Sequence, residues 1–358
     1  MKIAIIMAGI PWNTSLQRHH KVAMWLKKMG YEVYFIEKIT SSKFSITKAI
    51  KKMFQILRNK NITNINNPTN GINVVSYKFI NPEFEFYNKR IIKKITKKIP
   101  TKVDLIINYL PIETTEILID KLKYKHLIYD CVRDFKNWGG YGKNIKNIEI
   151  DLSNKSDIIL TDSYYITDKM RKKFPEKKIV QLLPTFEQFQ KKFSPKHINK
   201  IKRITYFGQL GEHINTKILK KLSDNGYEIN IFGDISVKLE FNYNYYGFFS
   251  EKKKMFEMIM EKSDAIIIPY KGNMNGVIPA KMFESLATFK PVYVSSFYDS
   301  NVLKKYIYVF ENYDNLEYMI KNFNYNEFQE KILNIKKLLN KEESFDQERI
   351  FMKEILEL

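Results

Sequence analysis

The sequence has almost no cysteine and no long apolar run. Its 358 residues include one cysteine, Cys131, so no intrachain disulfide can form. This fits a reducing cytosol, and Cys131, with no Cys/His constellation around it, is expected to be a buried strand residue. No stretch of about 20 apolar residues occurs, so we expect no bilayer-spanning segment. The brief apolar run at residues 3–7 is expected to be a first strand and not a signal sequence.

Spacings that hold metals or nucleic acids are also missing. The sequence contains no Asp-x-Asp pair and no His, Cys, Asp or Glu cluster with metal-ligand spacing. It has no zinc-finger spacing and no aromatic ribonucleoprotein motif. The first glycine loop does not follow the G-x-G-x-x-G dinucleotide pattern. We therefore expect no metal, no cofactor and no nucleic-acid partner.

Acidic residues are scarce. The chain has 39 Asp and Glu against 60 Lys and Arg, a formal net charge of +21. Between residues 38 and 102 the only acids are Glu83 and Glu85, and two basic segments with helical spacing lie there, at 45–59 and 88–98. Basic amphipathic helices suit an anionic membrane surface, whereas the alternative is a solvated helix face. We expect a cytoplasmic protein that is peripheral on the inner face of the cell membrane.

Apolar runs alternate with helical patterns along the whole chain. This alternation is typical of an α/β protein with parallel sheets. A lysine-rich stretch at 190–202 separates two such halves, so we predict two Rossmann-like domains facing a cleft, residues 1–195 and 196–342. Ligands of such sheets bind beyond the carboxyl ends of the strands. The predicted strands are at 3–7, 33–36, 74–77, 105–108, 127–129, 158–160, 204–207, 229–232, 245–247, 265–268 and 292–295.

The most specific pattern lies at residues 275–292, between two predicted strands. Pro279 suits the first position of a helix, where its missing N–H costs nothing. Free amides at a helix start bind anions, and Lys281 and Glu284, three residues apart, share a helix face. The loop therefore favours a nucleotide diphosphate, with Glu284 accepting from a ribose diol. The alternative is an exposed ion pair on an amphipathic helix, which is common and weak.

The whole pattern resembles the nucleotide-sugar-binding segment of GT-B glycosyltransferases of the family 4 type, P-x-K-x-F-E-Y-L-A-x-G-K-P-V. Ser285 replaces the usual Tyr, Phe289 replaces the usual Gly, and Gly276 replaces a Glu that many members carry. The matching residues are Pro279, Lys281, Phe283, Glu284, Leu286, Ala287, Lys290, Pro291 and Val292. The resemblance implies that this segment binds the donor through Asn275, Gly276, Val277, Ile278, Pro279, Lys281 and Glu284.

Two further loops of the second half resemble the same group. Gly208 and Gln209 follow a predicted strand in a Y-F-G-x-L turn, where the resemblance implies close approach of the backbone to the diphosphate. Gly247 and Phe248 lie in a loop that, by resemblance, holds the nucleotide base through backbone groups. A lone glycine in such a loop is more often only a turn.

The first half carries two weaker resemblances. Trp12, Gln17, Arg18 and Ala23 match a W-x-x-x-x-Q-R-x-x-x-x-A run, which implies that Gly9, Trp12 and Arg18 lie at the cleft near donor phosphate or acceptor. Residues 129–135 resemble a Y-D-C-x-D-D-F segment of relatives that make bacterial surface polysaccharides, with Arg133 in place of Asp. Carboxylates at a strand end can act as a base or stabilise a cationic transition state. The catalytic candidates are Asp130 and Asp134, the latter alternatively pairing with Arg133 or capping a helix.

Taken together, the resemblance implies a GT-B fold whose last helix, within residues 343–358, crosses back to the first domain. It implies a metal-independent hexosyltransferase that uses a nucleotide-diphosphate-sugar donor. The acceptor would be a lipid-linked or growing glycan of bacterial cell-surface polysaccharide synthesis. Two alternatives stay open: a nucleotide-sugar epimerase of the same fold, and a non-catalytic protein that binds membranes or polyanions on a degenerate transferase fold.

Overall fold

The computed structural model describes residues 1–14, 16–39, 71–77, 85–137, 142, 144–186, 188–340 and 346–358. The basic segment predicted at 45–59 lies outside these residues. The chain divides into two compact units. The first comprises Met1–Asp162, Ile166–Leu182 and Glu348–Leu358, and the second comprises Ser163–Tyr165 and Leu183–Gln347.

The first unit is built on a seven-stranded sheet in which every neighbouring pair is parallel, in the order β3-β2-β1-β4-β5-β6-β7. Its strands are β1 Ile3–Met7, β2 Glu32–Glu37, β3 Asn73–Ser76, β4 Lys102–Asn108, β5 Lys123–Cys131, β6 Ile158–Thr161 and β7 Lys178–Gln181. Its helices are α1 Arg18–Lys28, α2 Glu85–Ile95, α3 Glu113–Ile119, α4 Ile145–Lys155, α5 Tyr164–Lys173, which begins in the second unit, and the final helix α12 Gln347–Leu356.

The second unit has a six-stranded parallel sheet in the order β10-β9-β8-β11-β12-β13. Its strands are β8 Arg203–Phe207, β9 Glu228–Phe232, β10 Asn244–Tyr245, β11 Ala265–Ile268, β12 Val292–Ser295 and β13 Tyr308–Phe310. A 3-10 helix, Gln188–Lys192, precedes it. The helices are α6 Thr216–Asp224, α7 Lys252–Lys262, α8 Ala280–Leu286, α9 Tyr298–Val302, α10 Tyr313–Lys321 and α11 Tyr325–Asn340.

Central strands are apolar at successive positions because both faces of a parallel sheet are covered. In β11 every residue is buried, and in β1 four of five are. Edge strands bury less, and the sequence missed β7 and β13 for that reason: both carry mainly half-buried residues. The predicted fold of two Rossmann-like domains with parallel sheets is confirmed.

Across the described parts of the chain, no helix combines the length and apolar character needed to cross a membrane. The basic helix α2 was predicted to be amphipathic, and its isoleucines do not face solvent. Ile91, Ile92 and Ile95 are 7%, 1% and 0% exposed. The apolar stripe of α2 therefore packs into its own unit, and only its charged face is exposed.

Candidate functional site

The segment at 275–292 connects β11 to β12 through the short helix α8. Pro279 is the residue before the helix, with φ −63° and ψ 132°, and not the first helical residue as predicted. Its ψ stays extended, although its carbonyl already accepts the Met282 N–H at 2.9 Å. Gly276 is buried and has φ +82°, a left-handed conformation that favours glycine. The Asn275 side chain accepts the Tyr298 amide at 3.1 Å, which ties the loop to α9.

Lys281 extends from α8 to the glycine turn that follows β8. A Cβ on Gly208, where φ is +99°, would lie 2.9 Å from Lys281 Nζ. The ammonium donates to the Tyr206 hydroxyl at 2.8 Å and lies 4.5 Å from the centroid of that ring. Burial lowers the pKa of Lys281 to about 8, although the Glu284 charge opposes this shift. No carboxylate of a described residue lies within ion-pair distance of it, so this cation has room for an anion.

Three glycine loops meet beside this lysine. A Cβ on Gly233, where φ is +120°, would come 2.5 Å from the Gly208 carbonyl oxygen, so only glycine fits there. The Gly233 N–H donates to the Gly247 carbonyl at 2.7 Å. The turns after β8, β9 and β10 are therefore in contact. Phe248, beside Gly247, is 71% exposed.

Glu284 lies one turn further along α8 and is 9% exposed. Its Oε1 is 2.7 Å from the Nζ of Lys252, the first residue of α7. Its backbone carbonyl accepts the Gln190 side chain at 3.2 Å. Sequence reasoning missed Lys252 and Gln190 because they lie far from Glu284 along the chain and belong to no motif.

In the first unit, Arg18 and Asp130 form a buried two-point ion pair. Arg18 Nε lies 2.8 Å from Asp130 Oδ2, and Nη2 lies 2.8 Å from Oδ1. Arg18 Nη1 also donates to the Leu182 carbonyl at 2.7 Å, and Asp130 is fully buried. Burial alone would lower the pKa of Arg18, and the Asp130 carboxylate more than reverses this, so the pKa of the guanidinium is raised. The start of α1 and the end of β5 are joined here.

The second predicted carboxylate, Asp134, is also engaged. Lys169 Nζ lies 2.6 Å from Oδ1, and the Asn137 amide donates to Oδ2 at 2.7 Å. Burial would lower the pKa of Lys169, and its hydrogen bond to Asp134 raises it. The contact with Lys169 was not predicted, because that residue lies on α5, 35 residues along the chain. The catalytic roles of Asp130 and Asp134 stay predictions.

The remaining predicted residues of the first unit surround the start of α1. The Trp12 amide donates to Glu37 Oε2 at 2.5 Å, and a Cβ on Gly9 would lie 3.2 Å from Leu110. His20 is buried; its Nδ1 accepts the Gln17 amide and its Nε2 donates to the Pro11 carbonyl. His20 thus completes the first turn of α1.

For metals, the described ranges contain no group of three His, Cys, Asp or Glu residues able to hold an ion.

No family model and no curated protein matches the chain. Among solved structures it is similar to HepE of Anabaena in complex with UDP, with 12% identity, 100% of both chains covered and a TM-score of 0.63. It is also similar to sucrose-phosphate synthase of Thermosynechococcus elongatus, with 9% identity, 99% of both chains covered and a TM-score of 0.67. A glycosyltransferase of Rickettsia africae has 14% identity over 99% of this chain and 97% of that chain, with a TM-score of 0.62. At these identities the similarity shows the fold alone, which is GT-B.

Proposed function

We propose that the chain is a glycosyltransferase that moves a sugar from a nucleotide-diphosphate-sugar donor to a glycan or lipid-linked acceptor. One observation carries the proposal. Lys281 is a desolvated ammonium, held at the Gly208 turn of a GT-B fold with no carboxylate partner among the described residues. Burying a cation without an anion is unfavourable, and a bound diphosphate would supply the missing charge.

The donor would be held by the second unit. Lys281 and the backbone at Gly208 and Gln209 would bind the diphosphate, and Glu284 would accept from the ribose hydroxyls. Gly247 and Phe248 would face the base. As the sugar leaves, charge develops on the diphosphate, and stronger binding of that charge lowers the barrier without a metal. The UDP in HepE supports uridine nucleotides as the first donors to test.

Both carboxylates proposed for the reaction centre are engaged in ion pairs. Both oxygens of Asp130 contact Arg18, so we propose that Asp130, besides its predicted catalytic role, positions that guanidinium, which would present its charge to donor phosphate or acceptor. Asp134 would position Lys169 in the same way. We also propose that the chain belongs to the family 4 group and acts in bacterial surface-polysaccharide synthesis. The sequence motifs support both proposals.

A basic cluster on α2 and on the turn that follows it indicates where the protein would work. Lys93, Lys94, Lys97 and Lys98 are exposed and have no carboxylate within ion-pair distance in the described part of the chain. A cluster of this kind is attracted to anionic lipid by about 1 kcal/mol per residue. We propose peripheral binding to the inner face of the membrane through charge alone, because the isoleucines of α2 are buried.

The proposal is tested by calorimetric titration with UDP, followed by a screen of nucleotide-sugars with and without glycan acceptors. Lys281→Met is expected to lower UDP affinity at least tenfold, since a hydrogen bond to a charged group contributes about 1.5–3 kcal/mol. Lys217→Met removes an exposed lysine of the same unit and should leave UDP affinity unchanged. Absence of UDP, GDP and dTDP binding would refute the proposal, and donor conversion without any acceptor would indicate an epimerase.

A further inference from the structure

We propose that Lys252 is a positioning residue for the donor nucleotide: its ammonium holds the Glu284 carboxylate in place to accept both hydroxyls of the ribose. This inference rests on the proposed function, since it requires a nucleotide at this carboxylate. No sequence motif includes Lys252, which lies 32 residues before Glu284.

The geometry of the pair is unusual for a lysine at a helix start. Lys252 is the first residue of α7, where the helix dipole disfavours a cation. Its side chain is 52% exposed, yet its Nζ lies 2.7 Å from the Oε1 of Glu284, whose side chain is 11% exposed. The helix itself gives no reason for this placement, and the buried carboxylate does.

The next two residues of α7, Lys253 and Lys254, pair with exposed carboxylates close to them in the sequence. The Nζ of Lys253 lies 3.9 Å from Glu257 Oε1, and the Nζ of Lys254 lies 3.0 Å from Glu251 Oε2. Both carboxylates are about half exposed and close by in sequence, as is common for surface pairs of small effect. Lys252 therefore differs from its neighbours in joining α7 to α8 at the carboxylate assigned to the ribose.

The Glu284 carboxylate can accept hydrogen bonds from Lys252 and from the ribose hydroxyls together. An ionised carboxylate has about four lone-pair positions; Lys252 occupies one, and a ribose diol needs two. A bound ribose would cover the remaining exposed fraction of Glu284. A carboxylate buried with only neutral donors is strongly disfavoured, so the adjacent ammonium becomes more important once the nucleotide is bound.

The test compares UDP with its 2′,3′-dideoxy analogue, which lacks the hydroxyls that Glu284 would bind. Calorimetry on the full chain gives the UDP affinity divided by the affinity for the dideoxy analogue. This ratio is measured for wild type, Lys252→Met, Lys252→Arg and the matched control Lys253→Met. In Lys252→Met we expect this ratio to fall about fivefold, because the carboxylate is no longer held where it can accept both ribose hydroxyls. Affinity for the dideoxy analogue should stay within about twofold, which also shows that the site is folded. Lys252→Arg and Lys253→Met should keep the wild-type ratio.

Two results would overturn the inference: an unchanged ratio in Lys252→Met, including an equal loss for both nucleotides, or tighter UDP binding. The last would mean that Lys252 competes with the ribose. A wild-type chain that prefers neither nucleotide would remove the assignment of Glu284 itself, and one that binds neither would remove the proposed function. These failures are therefore distinguishable from failure of Lys252 alone.

Discussion

At the scale of single residues, Lys281 should make the proposed donor site sensitive to pH. Its pKa is about 8, lowered from 10.5 by burial, and a bound diphosphate would raise it again. Above pH 8 binding must therefore take up a proton, and UDP affinity should fall by up to about tenfold per pH unit. In the free protein the sign is opposite: between pH 8 and 10.5 the unfolded state binds more protons, so the free energy of unfolding rises with pH.

Calorimetry with UDP at pH 7.5, 8.5 and 9.5 measures this dependence. Lys281→Arg provides the control, because a guanidinium stays protonated throughout this range. A decline of the same slope in the arginine variant would show that another group is responsible.

The Arg18–Asp130 pair predicts a second residue-scale result. Asp130→Ala leaves a buried guanidinium without its partner and should lower the free energy of unfolding by about 3–5 kcal/mol. The double variant Arg18→Met, Asp130→Leu removes both charges and should be more stable than Asp130→Ala. Urea unfolding of the three proteins measures the difference. If the double variant were the least stable, the pair would be a net stabilising interaction, contrary to this expectation.

At the scale of elements, Phe289 shapes the turn between α8 and β12. It stands where the resembling family has glycine, its φ is +52°, and it is 4% exposed. A left-handed conformation costs a side-chain-bearing residue about 1–2 kcal/mol, and burial of the phenyl ring offsets this. The departure from the motif is thus compatible with the same turn.

This compensation predicts an unusual order of stability. Phe289→Ala loses the ring and keeps the backbone strain, so it should destabilise by about 3–5 kcal/mol. Phe289→Gly loses the same ring and relieves the strain, so it should be about 1 kcal/mol more stable than the alanine variant. Denaturant unfolding of both variants compares them, and an alanine variant as stable as the glycine variant would contradict the argument.

Element boundaries show the limits of sequence patterns. Buried strands such as β11 were predicted with their observed bounds because both faces carry apolar residues. The helix position predicted for Pro279 was wrong by one residue, because its fixed φ suits either the residue before a helix or the first helical residue.

At the scale of the molecule, the net charge of +21 predicts binding to anionic membranes. Replacing Lys93, Lys94, Lys97 and Lys98 by alanine should weaken binding to phosphatidylglycerol-containing vesicles at least tenfold, at about 1 kcal/mol per lysine. Binding of the wild type should weaken with added salt, and neutral phosphatidylcholine vesicles should bind neither protein.

The matched control replaces four exposed lysines of the second unit, at positions 217, 220, 253 and 254. Vesicle co-sedimentation should show near wild-type binding for this control. Equal losses in both quadruple variants would indicate that total charge, and not the basic cluster at 93–98, attracts the membrane.

The sequence alone determined the two-sheet architecture, because strand and helix periods depend on neighbouring residues. It also predicted Lys281, Glu284, Arg18 and Asp130 as site residues, since each lies within a recognisable motif. Only the tertiary structure supplied their partners, Tyr206 for Lys281, Lys252 for Glu284 and Leu182 for Arg18. Those contacts join residues 32 to 164 positions apart, and packing, not local pattern, brings such residues together.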